Sequence, residues 1–217
     1  MRSRGGSDGG IGVRMRAIRA LYNFAIERKI AKEQEILQIR DFDLAKYPGY
    51  VNTRNYFIFS FYTRGMNFAD MMKLEWKAID NDKIYYTRSK TKGNFKIKIL
   101  PPVREILNYY KAFALDTKYV FPILLKNSLT PSQLENRKHK TLQRYNKELK
   151  EIAEICGIDK SITSYVARHS FANCLKQKGV ATDIISESMG HKNLSITQTY
   201  LKEFDNSVLD EAIEILV

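Results

Sequence analysis

Four side chains in this sequence have complementary chemistry for a phosphodiester. Arg168, His191 and Tyr200 lie near the carboxyl end, and Arg64 lies far upstream in the segment FYTRGMNFADMMKLEW. Guanidinium groups donate paired hydrogen bonds to the non-bridging oxygens that gain charge when a nucleophile adds to phosphorus. A tyrosine hydroxyl becomes nucleophilic when a cationic site favours its phenolate. The set predicts that Tyr200 attacks a phosphodiester held by the two arginines.

The proton transfers of such a reaction need two further groups. His191 would hydrogen-bond a phosphate oxygen or assist proton movement. The segments 83–90 and 95–100 alternate or are rich in β-branched and aromatic residues, which predicts a β-hairpin with TKGN at its turn. A lysine on this turn could protonate the departing 5′ oxygen. Lys90 is predicted for that role, with Lys92 as the reserve and an auxiliary phosphate contact.

A phenol three residues before the second arginine is a further candidate. Tyr165 and Arg168 are predicted to share one face of a helix over residues 164–178. A phenol donates a hydrogen bond to phosphate but carries no positive charge at neutral pH. Tyr165 is therefore predicted to be an auxiliary phosphate contact. Neither a metal nor another cofactor is required, because the energy of the broken bond is kept in the covalent link to the protein.

Composition favours a polyanionic partner. The chain has 217 residues and a formal net charge of +12, from 36 Lys and Arg against 24 Asp and Glu. Such an excess fits DNA, although ribosomal, nuclease and membrane-surface proteins share it. No apolar run approaches the roughly 18–20 residues that span a bilayer, and the start MRSRGGSDGG lacks an apolar signal core. We expect a cytoplasmic protein. Cys156 and Cys174 have no metal-ligand spacing.

Hydrophobic periodicity predicts a mainly helical chain with one small antiparallel β-sheet. The segment 55–62, NYFIFSFY, is apolar on nearly every side and predicts a helix buried all round. A turn around Gly65 follows, and Asn67 caps the next helix. Arg64 thus lies in a tight connection between two helices, a rigid place from which to aim a side chain.

Basic and amphipathic helices account for much of the rest. The helix predicted over residues 13–29 carries Arg14, Arg16 and Arg19, which either form a solvated face or lie along DNA phosphates. The other predicted helices share an apolar stripe or clear end signals: 103–114, 136–156 before Gly157, 164–178 before Gly179, 183–189 before Gly190, one opened by a Ser195–Gln198 capping box, and 206–217.

Each candidate residue also has an ordinary explanation when it is taken singly. The chain holds 13 tyrosines, and arginines in a basic protein are mostly solvated or salt-bridged. His191, just after Gly190, could simply complement the dipole of a helix carboxyl end. Only the joint pattern favours chemistry.

That joint pattern resembles a known family. ARHSFA, MGHKNLSITQTY with its histidine and tyrosine nine residues apart, FYTRGM and the KTKG hairpin are similar to motifs of the tyrosine recombinase (phage integrase) family. The phrases FSFYTRGMNF and SYVARHSFA are most similar to integrases of conjugative and mobilisable elements. The resemblance covers roughly Asn55 to the carboxyl end.

The resemblance implies a fold, a reaction and partners. It implies a mostly helical catalytic domain with a small sheet, which closes on double-stranded DNA beside a helical core-binding domain. It carries Arg64, Lys90, Arg168, His191 and Tyr200 into catalytic roles, with Tyr200 forming a 3′-phosphotyrosine bond. Synapsed protomers, as a tetramer on DNA, would exchange strands, and the tail after Tyr200 would pack on a neighbouring protomer. Accessory DNA-bending proteins are possible partners.

Two departures from the family pattern qualify these expectations. Tyr165 stands where many members have histidine. Only a remnant of the core-binding domain is evident, so we expect residues 1–45 to be a flexible amino terminus with that remnant, and residues 46–217 to be the catalytic domain. The leading hypothesis is a site-specific DNA recombinase that integrates or excises a mobile element. The alternatives are a type IB topoisomerase and a non-catalytic DNA-binding remnant of an integrase.

Overall fold

The structure is a computed structural model that describes residues 30–113, 116–191, 194–198 and 201. The predicted helix over residues 13–29, with Arg14, Arg16 and Arg19, lies outside the described residues. So do Tyr200 and the predicted helix over residues 206–217. The domain division predicted at residue 46 stays a prediction.

The described chain is mainly helical with one small antiparallel sheet, which confirms the predicted fold class. Its α-helices are α1 Glu33–Arg40, α2 Val51–Tyr62, α3 Phe68–Met71, α4 Pro101–Ala112, α5 Pro131–Ile155, α6 Val166–Gln177, α7 Thr182–Ser188 and α8 Leu194–Gln198. Its strands are β1 Ile79–Asp80, β2 Lys83–Thr87 and β3 Asn94–Lys98, and short 3-10 helices cover Pro48–Tyr50 and Trp76–Ala78. No helix in this part of the chain is long and apolar enough to cross a membrane.

Helix α2 lies at the centre of the core. Every residue from 55 to 61 is buried, as the sequence predicts. The helix packs against α1, α4, α5 and α6, and its aromatic rings meet those of other elements edge to face, with the Phe59 and Phe121 centroids 4.8 Å apart. Ile36 and Ile39 of α1 are buried in the same core. Because α2 contacts so many helices, the position of its carboxyl end is fixed from several sides.

The hairpin is real but its strands are shorter than predicted. β1, β2 and β3 pair in order, and Tyr86 of β2 lies opposite Phe95 of β3 with their rings stacked at 4.9 Å. The strands end at Thr87 and resume at Asn94, rather than covering 83–90 and 95–100. The chain turns earlier because the Lys92 amide donates to the Arg88 carbonyl at 2.9 Å.

Helix α5 begins five residues before the predicted start. The Thr130 hydroxyl accepts from the Gln133 amide at 3.2 Å, and the Gln133 side chain accepts from the Thr130 amide at 3.0 Å, which is a capping box. Pro131 occupies the first helical position, where its missing N–H costs no hydrogen bond. The helix ends at Ile155, shortly before Gly157, as predicted.

Candidate active site

A buried guanidinium forms the centre of the candidate site. Arg168, in the first turn of α6, is 3% exposed. Its Nη1 donates to the Gly65 carbonyl at 2.9 Å, and its Nη2 donates to the Met189 carbonyl at 2.8 Å. The same Nη2 lies 2.9 Å from His191 Nε2. Two segments that are distant in sequence, the turn at Gly65 and the turn at residues 189–191, therefore converge on the cation of a third.

The carboxyl end of α2 supplies the first of these segments. After Tyr62 the chain reverses with Arg64 at φ 60 and Gly65 at φ 68. The Gly65 amide donates to the Ser60 carbonyl at 2.9 Å, the bond that closes a Schellman cap. A non-glycine residue in this left-handed conformation costs about 1–2 kcal/mol, and such strain is common at functional sites.

Gly65 permits a close approach that a side chain would prevent. A Cβ at this position would lie 2.7 Å from Arg168 Cγ and 2.8 Å from Arg168 Cα. The turn predicted around Gly65 is therefore confirmed. It brings the backbone of the α2 end directly against the base of Arg168.

The carboxyl end of α7 supplies the histidine. Gly190 at φ 65 ends the helix, and the His191 amide donates to the Ser186 carbonyl at 3.1 Å. The predicted position of His191 just past a helix end is confirmed. A Cβ on Gly190 would overlap the Phe95 ring, so this turn packs directly on β3 of the hairpin.

The imidazole is held as a neutral ring. Arginine has only donors, so His191 Nε2 must accept from Arg168, which leaves the proton on Nδ1. Nδ1 then donates to Thr197 Oγ1 of α8 at 2.8 Å. Burial, with help from Arg168 and Arg88, lowers the pKa of His191 to about 4. At neutral pH the ring is therefore uncharged.

A further arginine, which sequence reasoning missed, reaches the same place. Arg88 directly follows β2, and its Nη1 donates to the Met189 carbonyl at 3.2 Å. Arg88 and Arg168 thus share one acceptor. Arg88 lies two residues after the partly buried Tyr86 and four after the buried Ile84, and alternate residues of a strand face the same side. A charged residue on the buried face of the strand was therefore the signal in the sequence.

Arg64 lies in the electrostatic range of the same cluster. Burial raises the pKa of Tyr86 to about 12 and Asp70 adds to the rise, whereas Arg168, Arg88 and Arg64 oppose it. All three guanidiniums therefore act on one phenol. Among the described residues, however, the Arg64 side chain makes no hydrogen bond or ion pair. The structure brings Arg64 near the site but does not fix its guanidinium there.

The hairpin turn places both candidate lysines in solvent. Lys90 and Lys92 are exposed, and Lys92 has φ 57. The base of the turn is held by buried Asp70, whose Oδ1 accepts from the Ser89 amide at 2.9 Å. Asn67 caps α3 as predicted, with its Oδ1 accepting from the Asp70 amide at 3.1 Å. The turn is thus anchored while the lysines extend from it.

One helix boundary near the site differs from its prediction, and one predicted cap is wrong. The helix predicted over residues 164–178 is α6, which covers Val166–Gln177, so Tyr165 lies at its amino-terminal cap. Tyr165 is 48% exposed while Arg168 is 3% exposed, and the Tyr165 ring lies edge-on against His169 with centroids 4.7 Å apart. Ser195 does not cap α8, because the helix already includes Leu194. The auxiliary role of Tyr165 stays a prediction.

The predicted nucleophile, Tyr200, lies outside the described residues. Within the described ranges, no group of three or more His, Cys, Asp and Glu side chains is placed to hold a metal ion.

Solved structures of tyrosine recombinases share this fold. The XerH site-specific recombinase bound to palindromic difH substrate superposes with a TM-score of 0.61 at 19% identity, covering 86% of this chain and 53% of that chain. A lambda integrase tetramer bound to a Holliday junction gives a TM-score of 0.57 at 15% identity, covering 81% of this chain and 50% of that chain. The chain therefore has the fold of a tyrosine recombinase catalytic domain.

The chain belongs to the phage integrase family, whose model matches residues 29–207. Tyrosine recombinase XerD of Staphylococcus saprophyticus is 28% identical over 207 residues, which is 84% of this chain and 68% of that protein. The chain thus spans about two thirds of this relative, and about half the length of the two solved structures.

Proposed function

We propose that the protein is a site-specific DNA recombinase that cleaves and rejoins DNA through a covalent 3′-phosphotyrosine bond. The observation that carries this proposal is the buried Arg168, whose guanidinium bonds the Gly65 and Met189 carbonyls and lies against a neutral His191. Such a fixed donor set suits the charge that develops on a phosphodiester during attack. Membership of the phage integrase family supports the same reaction.

The proposed reaction balances without any cofactor. The Tyr200 hydroxyl oxygen attacks phosphorus and its proton passes to solvent, the bond from phosphorus to the 5′ oxygen breaks, and Lys90 gives that oxygen a proton. Arg64 and Arg168 hold the non-bridging oxygens. His191 is proposed to relay a proton, or to hydrogen-bond a phosphate oxygen once its proton lies on Nε2 and the contact with Arg168 is given up. Tyr165 and Lys92 are proposed as auxiliary phosphate contacts.

The proposal includes the partners of the reaction. Double-stranded DNA suits the formal net charge of +12, and Arg14, Arg16 and Arg19 would add weak DNA contacts. A homo-oligomer on DNA, as a synaptic tetramer, is supported by the lambda integrase tetramer on a Holliday junction. We further propose that the recombinase integrates or excises a mobile element and that it acts in the cytoplasm. Accessory DNA-bending proteins would assist it. Residues 46–217 would form the catalytic domain.

Adduct formation tests the reaction directly. A pool of nicked suicide duplexes with a randomised core is incubated with the purified chain, and SDS-resistant protein–DNA adducts are isolated and sequenced. We expect one enriched site and its complete loss in Tyr200→Phe. Tyr85→Phe is the matched control, because Tyr85 is 41% exposed on β2 and is not assigned to the site. DNA binding should also weaken steeply as salt is raised.

The other outcomes separate the alternatives. Binding without any adduct across the pool would favour a non-catalytic DNA-binding protein. Adducts with no enriched sequence, together with relaxation of supercoiled plasmid, would favour a topoisomerase.

A further inference from the structure

Arg88 occupies a fixed position beside Arg168. Its backbone amide donates to the Gly93 carbonyl at 2.9 Å, and its carbonyl accepts from the Lys92 amide at 2.9 Å. The next amide, that of Ser89, is held by Asp70. The base of the Arg88 side chain is therefore anchored by the sheet on one side and by α3 on the other.

The guanidinium of Arg88 is directed to the same acceptor as that of Arg168. Its Nη1 lies 3.2 Å from the Met189 carbonyl oxygen, and Arg168 Nη2 lies 2.8 Å from that oxygen. Because both nitrogens donate to the same oxygen, the two guanidiniums lie next to each other. Arg88 and Arg168 also both lower the pKa of His191, after burial, so both cations lie within electrostatic range of that ring.

This arrangement is unfavourable for stability alone. Two like charges that share one neutral carbonyl repel each other. Arg88 takes part in no salt bridge among the described residues, and its buried Nε has no hydrogen-bond partner there. A buried donor without a partner destabilises a fold. An anion bound between the two guanidiniums would relieve the repulsion.

The Arg88 guanidinium is held beside Arg168 more firmly than that of Arg64. Arg64 has a strained backbone at φ 60, and its guanidinium forms no hydrogen bond within the described ranges. The Arg88 guanidinium, in contrast, donates to the Met189 carbonyl in the turn that carries His191, which is 101 residues further along the chain. Pre-organisation of a donor before substrate arrives is what makes electrostatic stabilisation of a transition state effective.

We propose that Arg88 is a further catalytic residue, whose guanidinium contacts a non-bridging oxygen of the scissile phosphate alongside Arg168. This inference rests on the proposed recombinase function. Arg88 transfers no proton. It holds the charge that grows on the phosphoryl oxygen while the bond from Tyr200 to phosphorus forms and the bond to the 5′ oxygen breaks. One hydrogen bond to Met189 leaves other N–H donors of Arg88 for the phosphate.

The test uses the full chain and nicked duplexes carrying the site that the wild-type chain selects from the randomised pool. Arg88→Ala should slow adduct formation about 100-fold or more. Arg88→Lys keeps a cation but lacks the planar fork, so it should also be slow. Arg104→Ala is the matched control, because Arg104 likewise donates to a backbone carbonyl, that of Asn81, at 2.6 Å, yet belongs to no part of the site. It should react at the wild-type rate.

A second measurement separates phosphate contact from support of the His191 turn. Each phosphorothioate isomer of the scissile diester replaces one non-bridging oxygen with sulfur, a weaker hydrogen-bond acceptor. In the wild-type chain, sulfur at the oxygen that Arg88 contacts should slow cleavage, and in Arg88→Ala this slowing should largely disappear. If the rate losses caused by Arg88→Ala and by sulfur simply multiply for both isomers, the proposed contact is overturned. A purely structural role of Arg88 would not depend on which oxygen is replaced.

The remaining outcomes are distinguishable. If the wild-type chain forms adducts and both Arg88 variants match its rate, the Arg88 inference fails while the recombinase function stands. If the wild-type chain forms no adduct with any duplex of the pool, the proposed function fails and this inference fails with it. Thermal unfolding of each variant shows whether a slow rate reflects lost fold, and Arg88→Lys, with its long stem kept, is then the deciding variant.

Discussion

The buried centre around Arg168 and the exposed tip of the β2–β3 hairpin contribute to the candidate site in opposite ways. Around Arg168, two capped helix ends and a buried guanidinium fix each other through hydrogen bonds of 2.8–2.9 Å. At the tip, Lys90 and Lys92 extend into solvent from an anchored turn. The difference indicates that the proposed phosphate contacts would be built in advance, while the proposed proton donor would be placed by DNA.

This comparison has a measurable consequence. Substitutions at the buried centre should change both stability and activity, because the same hydrogen bonds serve both. Substitutions at the hairpin tip should change activity alone, because the exposed side chains contribute little to the fold.

The largest effect is expected on catalysis at the tip. Lys90→Ala should slow cleavage by about 100-fold to 10,000-fold, since this is the typical contribution of a positioned general acid. Its thermal midpoint should stay near that of wild type. Lys92→Ala is the matched control, with an exposed lysine in the same turn, and should slow cleavage far less. Single-turnover cleavage of the nicked duplex gives both rates. Equal losses in the two variants would contradict the assignment of Lys90.

An intermediate effect is expected on stability at the buried centre. Gly65→Ala combines backbone strain at φ 68 with a methyl group 2.7 Å from Arg168 Cγ, and should lower the free energy of unfolding by about 2–4 kcal/mol. Gly157→Ala has the same strain at φ 69 but nothing within 4 Å, so it should lose only about 1–2 kcal/mol. Urea denaturation measures both. Cleavage should slow in Gly65→Ala alone, because Arg168 must shift.

If the two glycine variants lose equal stability, the close approach of the α2 end to Arg168 is not a determinant of the fold. If Gly65→Ala is destabilised but cleaves at the wild-type rate, the position of Arg168 is not critical for the reaction. The first result would contradict the claim that the centre around Arg168 stabilises the fold. The second would contradict the claim that the same centre serves catalysis.

A further effect is expected in the pH dependence of stability. The pKa of His191 is lowered to about 4 in the folded chain, chiefly by burial, against about 6.5 in an unfolded chain. Between these values the unfolded state binds a proton at this residue and the folded state does not. Stability should therefore fall as pH is lowered from about 6.5 to about 4, and this contribution should be constant above that range.

Urea denaturation at several pH values in that window measures the slope. His191→Gln should reduce it, while His139→Gln, which removes an exposed histidine of α5, serves as the matched control. An unchanged slope in His191→Gln would mean that the ring is charged or solvated in the folded chain.

The local elements of the site could be predicted from sequence. Gly190 placed His191 just past a helix end, Asn67 capped α3, and the all-round apolar segment 55–62 gave a buried helix. Each of these depends on a few neighbouring residues, through a left-handed glycine, a capping side chain or continuous hydrophobicity. Short-range chemistry of this kind is visible in a single sequence.

The environment of the arginines could not be predicted in the same way. The burial of Arg168 depends on carbonyls at positions 65 and 189, and Arg88 reaches its acceptor across 101 residues. Tyr165, expected to lie beside Arg168 on one helix, precedes α6 and is 48% exposed, whereas Arg168 is buried. The spacing of residues along a helix predicts in which direction each side chain points. It does not predict which neighbouring element packs against that side of the helix.

The sequence by itself determined the chemical groups of this protein, its helical composition, its small sheet and its family resemblance, because these follow from residue types and short spacings. Only the tertiary structure decided which guanidiniums meet at one carbonyl, which ring nitrogen of His191 accepts a hydrogen bond, and which lysines remain in solvent. These properties depend on distances between segments that are far apart in the chain, and packing of the whole core sets those distances.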